Sequence, residues 1–324
     1  MKKRNIMVVL LVFIFLLVSC KKNYVTQQYN AHSKVAFITM MQSGQTWGEI
    51  KNGAKIARDE TNCTLDFFTP VKETDSRQQA QYVLDAIKNG YNAIIIAPSD
   101  ERLLLSPLQK AQDQGIKIMT IYNSIDSTAT MIPKDMMTSF TSVGTSIATT
   151  VLPLLPDKNI DCLVIGAMLN TTSAIKTTQG IRDVLKKQPK LRFQTAYCFG
   201  DSDKAADITE KKLKEDTDTN LIIAIDEVSS DGIMQAIRNR EDKGKDLVIV
   251  TWGNSLSNLQ GLEEGNVDAI VAINGYELGY RSIYAMMDYL EGKDVPDVPV
   301  EYALVTQNNF IDDKIQKLLF PQIN

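Results

Sequence analysis

Residues 75–122 read "DSRQQAQYVLDAIKNGYNAIIIAPSDERLLLSPLQKAQDQGIKIMTIY", and their rhythm decides the fold. Asp75 and Gln78 stand at capping-box spacing ahead of a helical run that Gly90 stops. "NAIIIAP" (92–98) is then an almost wholly apolar strand. A second helical run extends from Glu101 to Gln114, and "IKIMTIY" (116–122) is another apolar strand. Strands without polar alternation are those whose two faces are both covered by helices. Strand and helix alternating in this way predict a parallel, doubly wound sheet.

The same alternation continues in both directions. Upstream, "KVAFITM" (34–40) precedes a helix with Trp47, Ile50, Ala54 and Ala57 at 3-4-3 spacing, and "TLDFF" (64–68) is a further strand. Downstream the rhythm lapses for about a dozen residues after "IYNSIDSTATMIPKD" and then restarts with a helix over 137–155. Strands at 161–168, 192–200, 220–226, 246–252 and 266–275 follow, with helices at 173–187, 204–215, 228–239 and 276–292 between and after them. "VPVEYALVTQNN" closes the pattern as an extended segment. One open sheet of this many strands would curl or split. The expectation is therefore an α/β chain of two doubly wound parallel-sheet lobes.

The first nineteen residues are not part of either lobe. A basic start, the thirteen-residue apolar run "IMVVLLVFIFLLV" and "LVSC" give the layout of an export signal ending at Cys20. "LVSC" resembles a bacterial lipobox, which makes Cys20 the lipidation candidate and residues 20–33 a polar tether. Removing 1–19 removes Lys2, Lys3 and Arg4, so the formal charge of −4 becomes −7. A mildly acidic body without a basic stripe argues against a nucleic-acid partner. The single histidine, His32, lies in the tether, which argues against a histidine-based triad or metal site. Cys63, Cys162 and Cys198 show no CxxC spacing; Cys162 and Cys198 fall where neighbouring strands could bring them together, or they are simply buried thiols.

Ligands of parallel α/β sheets gather beyond the carboxyl ends of the strands. Those positions here carry Ser43, Gln45 and Trp47; Ser99 and Asp100; Tyr122 and Asn123; Asn170, Thr172 and Lys176; Gly200 and Asp201; Asp226 and Glu227; Trp252 and Asn254; Asn274 and Tyr276. Hydroxyls, amides and aromatic faces, with few cations, suit an uncharged polyhydroxylated molecule. Any one of these residues could instead be a helix cap. No GxSxG, HExxH or GxxxxGK[ST] occurs, and the first strand is not followed by a dinucleotide-type glycine turn. Asp226 and Glu227, a possible acid–base pair, are adjacent on a strand-to-helix turn and should point in different directions. The chain does not read as an enzyme, and no cofactor is expected.

Six stretches in register carry a resemblance: "IKNGAKIARDE", "YVLDAIKNGYNAIIIAPSD", "LQKAQDQGIKIMTIYNS", "NTTSAIKTTQGIRDVLKKQPKLR", "IIAIDEVSSDGIMQAI" and "GLEEGNVDAIVAINGYELGYRSI". Together they resemble the type I periplasmic sugar-binding proteins, over about 34–306. The resemblance implies two lobes joined by a three-segment hinge, with 34–134 plus 274–300 in the first lobe and 135–273 plus 301–324 in the second. It also implies a monomeric lipoprotein on the outer face of the cell membrane, capturing a neutral sugar for an ABC permease. A sensory receptor docking on a membrane histidine kinase or chemoreceptor is the alternative. The ligand set expected from the strand ends and the resemblance together is Ser43, Gln45, Trp47, Tyr122, Asn123, Thr172, Lys176, Asp226, Trp252, Asn254 and Asn274.

Several family positions differ. Lys176 stands where relatives have arginine, Tyr122 and Asn123 where many have Asp-Arg, Gly253 in place of an aspartate, and Ile273 in place of a glutamine. Ribose is therefore not the expected ligand. Trp47 is expected to cover one ligand face, unless its helical face with Ile50 and Ala54 makes it a core plug.

Overall fold

The computed structural model describes residues 29–30, 32–125, 135–136, 139–155, 159–216, 218–238, 247–295 and 301–321. The expected export signal, Cys20 and most of the tether lie outside the described residues.

Two sheets are present. The first contains β1 (Lys34–Ile38), β2 (Thr64–Phe68), β3 (Ala93–Ile96), β4 (Lys117–Ile121) and β5 (Asp135–Met136). Its order is β2-β1-β3-β4-β5 and every pairing is parallel. The second contains β6 (Asn159–Gly166), β7 (Lys190–Tyr197), β8 (Leu221–Ala224), β9 (Val248–Trp252), β10 (Ala269–Ile273) and β11 (Tyr302–Val305). Its order is β11-β10-β9-β8-β6-β7, parallel except for β11, which runs antiparallel to β10. The all-apolar runs became the central strands: β3, β8, β9 and β10 are buried throughout.

The lobe boundary expected at 134/135 falls two residues early. Asp135 and Met136 pair with Thr120 and Ile121 as the last strand of the first sheet. A two-residue strand leaves no periodicity in the sequence, so the lapse after Tyr122 concealed it.

Helices α1 (Gln45–Thr61), α2 (Ser76–Lys88) and α3 (Glu101–Asp113) belong to the first lobe. The chain then passes to the second lobe through α4 (Phe140–Val151), α5 (Thr172–Leu185), α6 (Ser202–Glu215), α7 (Glu227–Arg238) and α8 (Leu256–Glu263). After β10 it returns as α9 (Gly275–Leu290), which packs on α1, and it crosses a third time to β11 and α10 (Asp313–Leu319). This is the expected two-lobe architecture with three crossings. Local signals placed the helix starts: Asp75 accepts from the Gln78 amide at 3.0 Å and Asp100 from Leu103 at 3.0 Å. The short α10 was not read from the sequence; it buries only Leu318 and Leu319.

In each lobe one helix pair packs backbone to backbone. A Cβ on Gly53 would overlap the Tyr276 carbonyl, and one on Gly279 would overlap that of Ile50, so α1 and α9 can meet only through glycine. Gly144 and Gly180 do the same for α4 and α5. A single apolar cluster runs through both lobes, from Phe37, Ile95 and Ile121 to Phe140, Val250 and Val271. The cysteines do not bridge: Cys162 is level with Phe193 on β7, whereas Cys198 lies past the end of that strand, its amide bonded to Gly166. All three described thiols are buried and free.

Candidate functional site

The seam between the lobes forms where the carboxyl ends of the two sheets face each other. Helix α1 starts there, behind Gly44, which has φ +108° and offers no side-chain cap. The exposed start of a helix needs acceptors and favours negative charge. Here the acceptor comes from the opposite lobe: Glu227 Oε1 takes the Thr46 amide at 2.8 Å and the Thr46 hydroxyl at 2.6 Å. The arrangement is reciprocal. Asn123, at the end of β4, accepts from the Ser173 amide in the first turn of α5 at 2.9 Å. Each lobe thus caps a helix of the other. The φ of +108° at residue 44 favours glycine, and a Cβ there would also displace Glu227 Oε2.

A third link joins α1 to the second lobe. Asn254 donates to Glu49 Oε1 at 2.9 Å and to the Leu319 carbonyl at 2.7 Å. Beside these bonds runs a ladder of rings. Trp47 packs on Tyr122 with centroids 5.3 Å apart, Tyr122 on Phe140 at 5.2 Å, and Phe140 stacks on Trp252 at 6.2 Å. Trp47 is 4% exposed and Trp252 1%. In this conformation Trp47 fills the seam and also belongs to the core with Ile50 and Ala54. Tyr122 holds φ +63°, and the Asn123 amide closes a tight turn onto the Ile121 carbonyl at 2.6 Å. A bulky residue in the left-handed region is strained, and such strain collects at functional positions.

The electrostatics are acidic. Glu73 lies on the segment after β2, is 8% exposed, and makes no hydrogen bond or ion pair among the described residues. Burial, and then repulsion from Asp226 and Glu227, holds its carboxyl well above the usual carboxylate range. Asp226 accepts from the Ala167 amide at 2.5 Å and the Ser229 amide at 2.8 Å, yet burial still raises it. Burial raises Glu227 against the two bonds from Thr46, and its Oε2 is buried without a partner. Glu49 Oε2 is likewise buried and unpartnered, and burial pushes that carboxyl up to about 7. Burial followed by the charges of Glu73, Glu227 and Asp226 raises the Tyr122 hydroxyl.

Of the residues singled out from the sequence, Trp47, Tyr122, Asn123, Asp226, Trp252 and Asn254 are brought to this seam. Thr172 joins them at its edge, donating to the Ser124 carbonyl at 3.1 Å. Asn274 is the cap of α9, accepting from the Glu277 amide at 3.0 Å. Ser43 and Gln45 are exposed, Gln45 bonding Glu49 at 3.2 Å. Lys176 is exposed on α5 and forms no ion pair among the described residues. Asp226 and Glu227 do point in different directions, as their adjacency required. Three residues with a claim on the site were not singled out: Glu73, Glu49 and Thr46. Glu73 was accessible by the strand-end rule, since "TPVKETD" follows β2. Glu49 carries no local signal, because its partners, Gly275 at the start of α9 and Asn254 in the other lobe, are distant in the chain.

Residues 35–294 match the model of the periplasmic binding protein domain. The D-allose-binding periplasmic protein of Escherichia coli is 23% identical over 283 residues, 85% of this chain and 91% of that one. An ABC transporter solute-binding protein from Agrobacterium vitis with bound D-fucose superimposes with a TM-score of 0.83 at 20% identity, covering 88% of this chain and 99% of that one. The Caulobacter myo-inositol-binding protein, bound to myo-inositol, gives 0.78 at 18% identity, covering 90% and 99%. With two crossed-over lobes, facing strand ends and a family match along most of its length, the chain belongs to the periplasmic binding protein domain family.

Proposed function

We propose that this protein captures a sugar or sugar-like molecule in the seam between its lobes, outside the cytoplasm, and hands it to a membrane ABC permease without altering it. The observation that carries this is the reciprocal latch. Thr46–Glu227, Ser173–Asn123 and Asn254–Glu49 form only when the lobes are together, so closure has bonds of its own for a ligand to reinforce. A ligand touching both walls adds contacts available only in the closed form and shifts the population toward it. The sugar and polyol ligands of the relatives support the chemical class. We further propose that Cys20 is lipidated and tethers the lobes to the membrane surface; Cys20→Ser should release the protein to the soluble fraction.

A thermal-shift panel of pentoses, hexoses, amino sugars and inositols tests the capture. A ligand that binds only the native state raises the melting temperature by mass action, about 2.7 kcal/mol at one hundred times Kd. A rise with at least one compound is expected. No rise with any of them contradicts the reading.

A further inference from the structure

We propose that the captured molecule carries a protonated amine, as an amino sugar does. The inference rests on the seam being the ligand site and adds the ligand's charge to that reading. Glu73 comes from the first lobe, on a segment whose Thr74 side chain would stand 3.3 Å from a Cβ on Gly200 of the second. It lies near enough to Asp226 and Glu227 to feel their charge, and none of the three forms an ion pair among the described residues. Hydrogen bonds satisfy Asp226, and half of Glu227 is used in capping α1. What remains is Glu73, a residue 8% exposed and without a partner among the described residues, and Glu227 Oε2, buried and without a partner. The seam amides are already engaged, Asn123 with Ser173 and the Met40 sulfur, Asn254 with Glu49 and Leu319.

When ionised, the unused groups are acceptors that carry negative charge, and a bound cation would favour that form against the burial that otherwise keeps their protons on. Buried charge is tolerated when it is paired. An ammonium offers three donors and no acceptor, which complements this set. A neutral sugar would supply donors but leave the carboxylates uncompensated. Tyr122 packs on Trp47 and lies near enough to Glu73, Glu227 and Asp226 to feel their charge, and aromatic faces favour a cation as well as a sugar's C–H surface.

Isothermal titration of the purified full-length chain tests this with D-glucosamine, D-galactosamine and D-mannosamine, each beside its parent hexose and its N-acetyl form. At least one amine should bind ten-fold or more tightly than both of its neutral counterparts. Glu73→Gln should weaken that binding at least ten-fold. If Glu73→Gln does not fold, the comparison of amine with N-acetyl form on the unaltered chain still decides. A parent hexose or N-acetyl sugar binding as tightly as its amine overturns the charge inference and leaves capture intact. If none of the nine compounds binds, the charge inference also falls, while the wider panel above continues to judge capture.

Discussion

The helix pair α1–α9 and the seam at the start of α1 share one helix but are held together differently. Along the pair, Gly53 and Gly279 let two backbones touch, and the neighbours are apolar and buried. At the seam the same helix meets buried carboxylates, a left-handed tyrosine and two unpartnered oxygens. Contact in the first region lowers the energy of a fixed structure. Contact in the second carries repulsion that a protein without a ligand would have no reason to keep. Stability given up at a binding site is a recurring exchange in proteins.

The largest effect should come from the helix pair. Gly53→Ala would force a methyl into the Tyr276 carbonyl, so α9 must move. Overpacking of this kind costs about 3 kcal/mol or more, and chemical denaturation should show it. Gly48, five residues earlier on the same helix, has nothing within 4 Å of a built Cβ. Gly48→Ala should therefore stabilise, by about 0.5–1 kcal/mol from helix propensity alone. Equal effects at the two glycines would refute the close-packing account.

At the seam, pH should matter next most. The Glu49 carboxyl, pushed up to about 7 by burial, keeps a proton in the native state that the unfolded chain releases near 4.5. Its contribution is complete below about 4.5 and is lost as pH rises through 7, about 3 kcal/mol in all. Melting temperature should fall from pH 5 to pH 8, and Glu49→Gln should flatten much of that slope. Glu73 and Glu227 are raised as well and act in the same direction. A slope unchanged in Glu49→Gln would remove Glu49 from the account.

A smaller effect of opposite sign to Gly53→Ala is expected at Glu73. Glu73→Gln removes one of three mutually repelling charges and should stabilise the unliganded chain by about 1–2 kcal/mol at pH 8, with little change at pH 5. Destabilisation at pH 8 would mean that Glu73 has a structural partner.

The first region was legible in the sequence and the second only partly, for a physical reason. Apolar runs such as "NAIIIAP", caps such as Asp75 and stops such as Gly90 act within a few residues of themselves. They fix sheets and helices before any long-range contact is known. The seam depends on partners 50 to 205 residues apart, as in Asn123–Ser173 and Glu49–Asn254. The strand-end rule found Trp47, Tyr122, Asn123, Asp226, Trp252 and Asn254, because the ends of parallel strands converge whatever their identity. It could not show that the two amides would be used in holding lobes together, nor that Glu49 would be buried. Lys176 lies on the right helix, and only the rotation of α5 puts it at the surface.

Both tryptophans of the chain, Trp47 and Trp252, lie in the ring ladder, so tryptophan emission reports on the seam alone. Titrating the chain with whichever compound raises its melting temperature tests the central claim directly. Capture between the lobes predicts a saturable change in emission whose midpoint falls at the concentration where calorimetry shows half-binding. A compound that binds by calorimetry yet leaves the emission untouched throughout would place the ligand elsewhere and contradict the account.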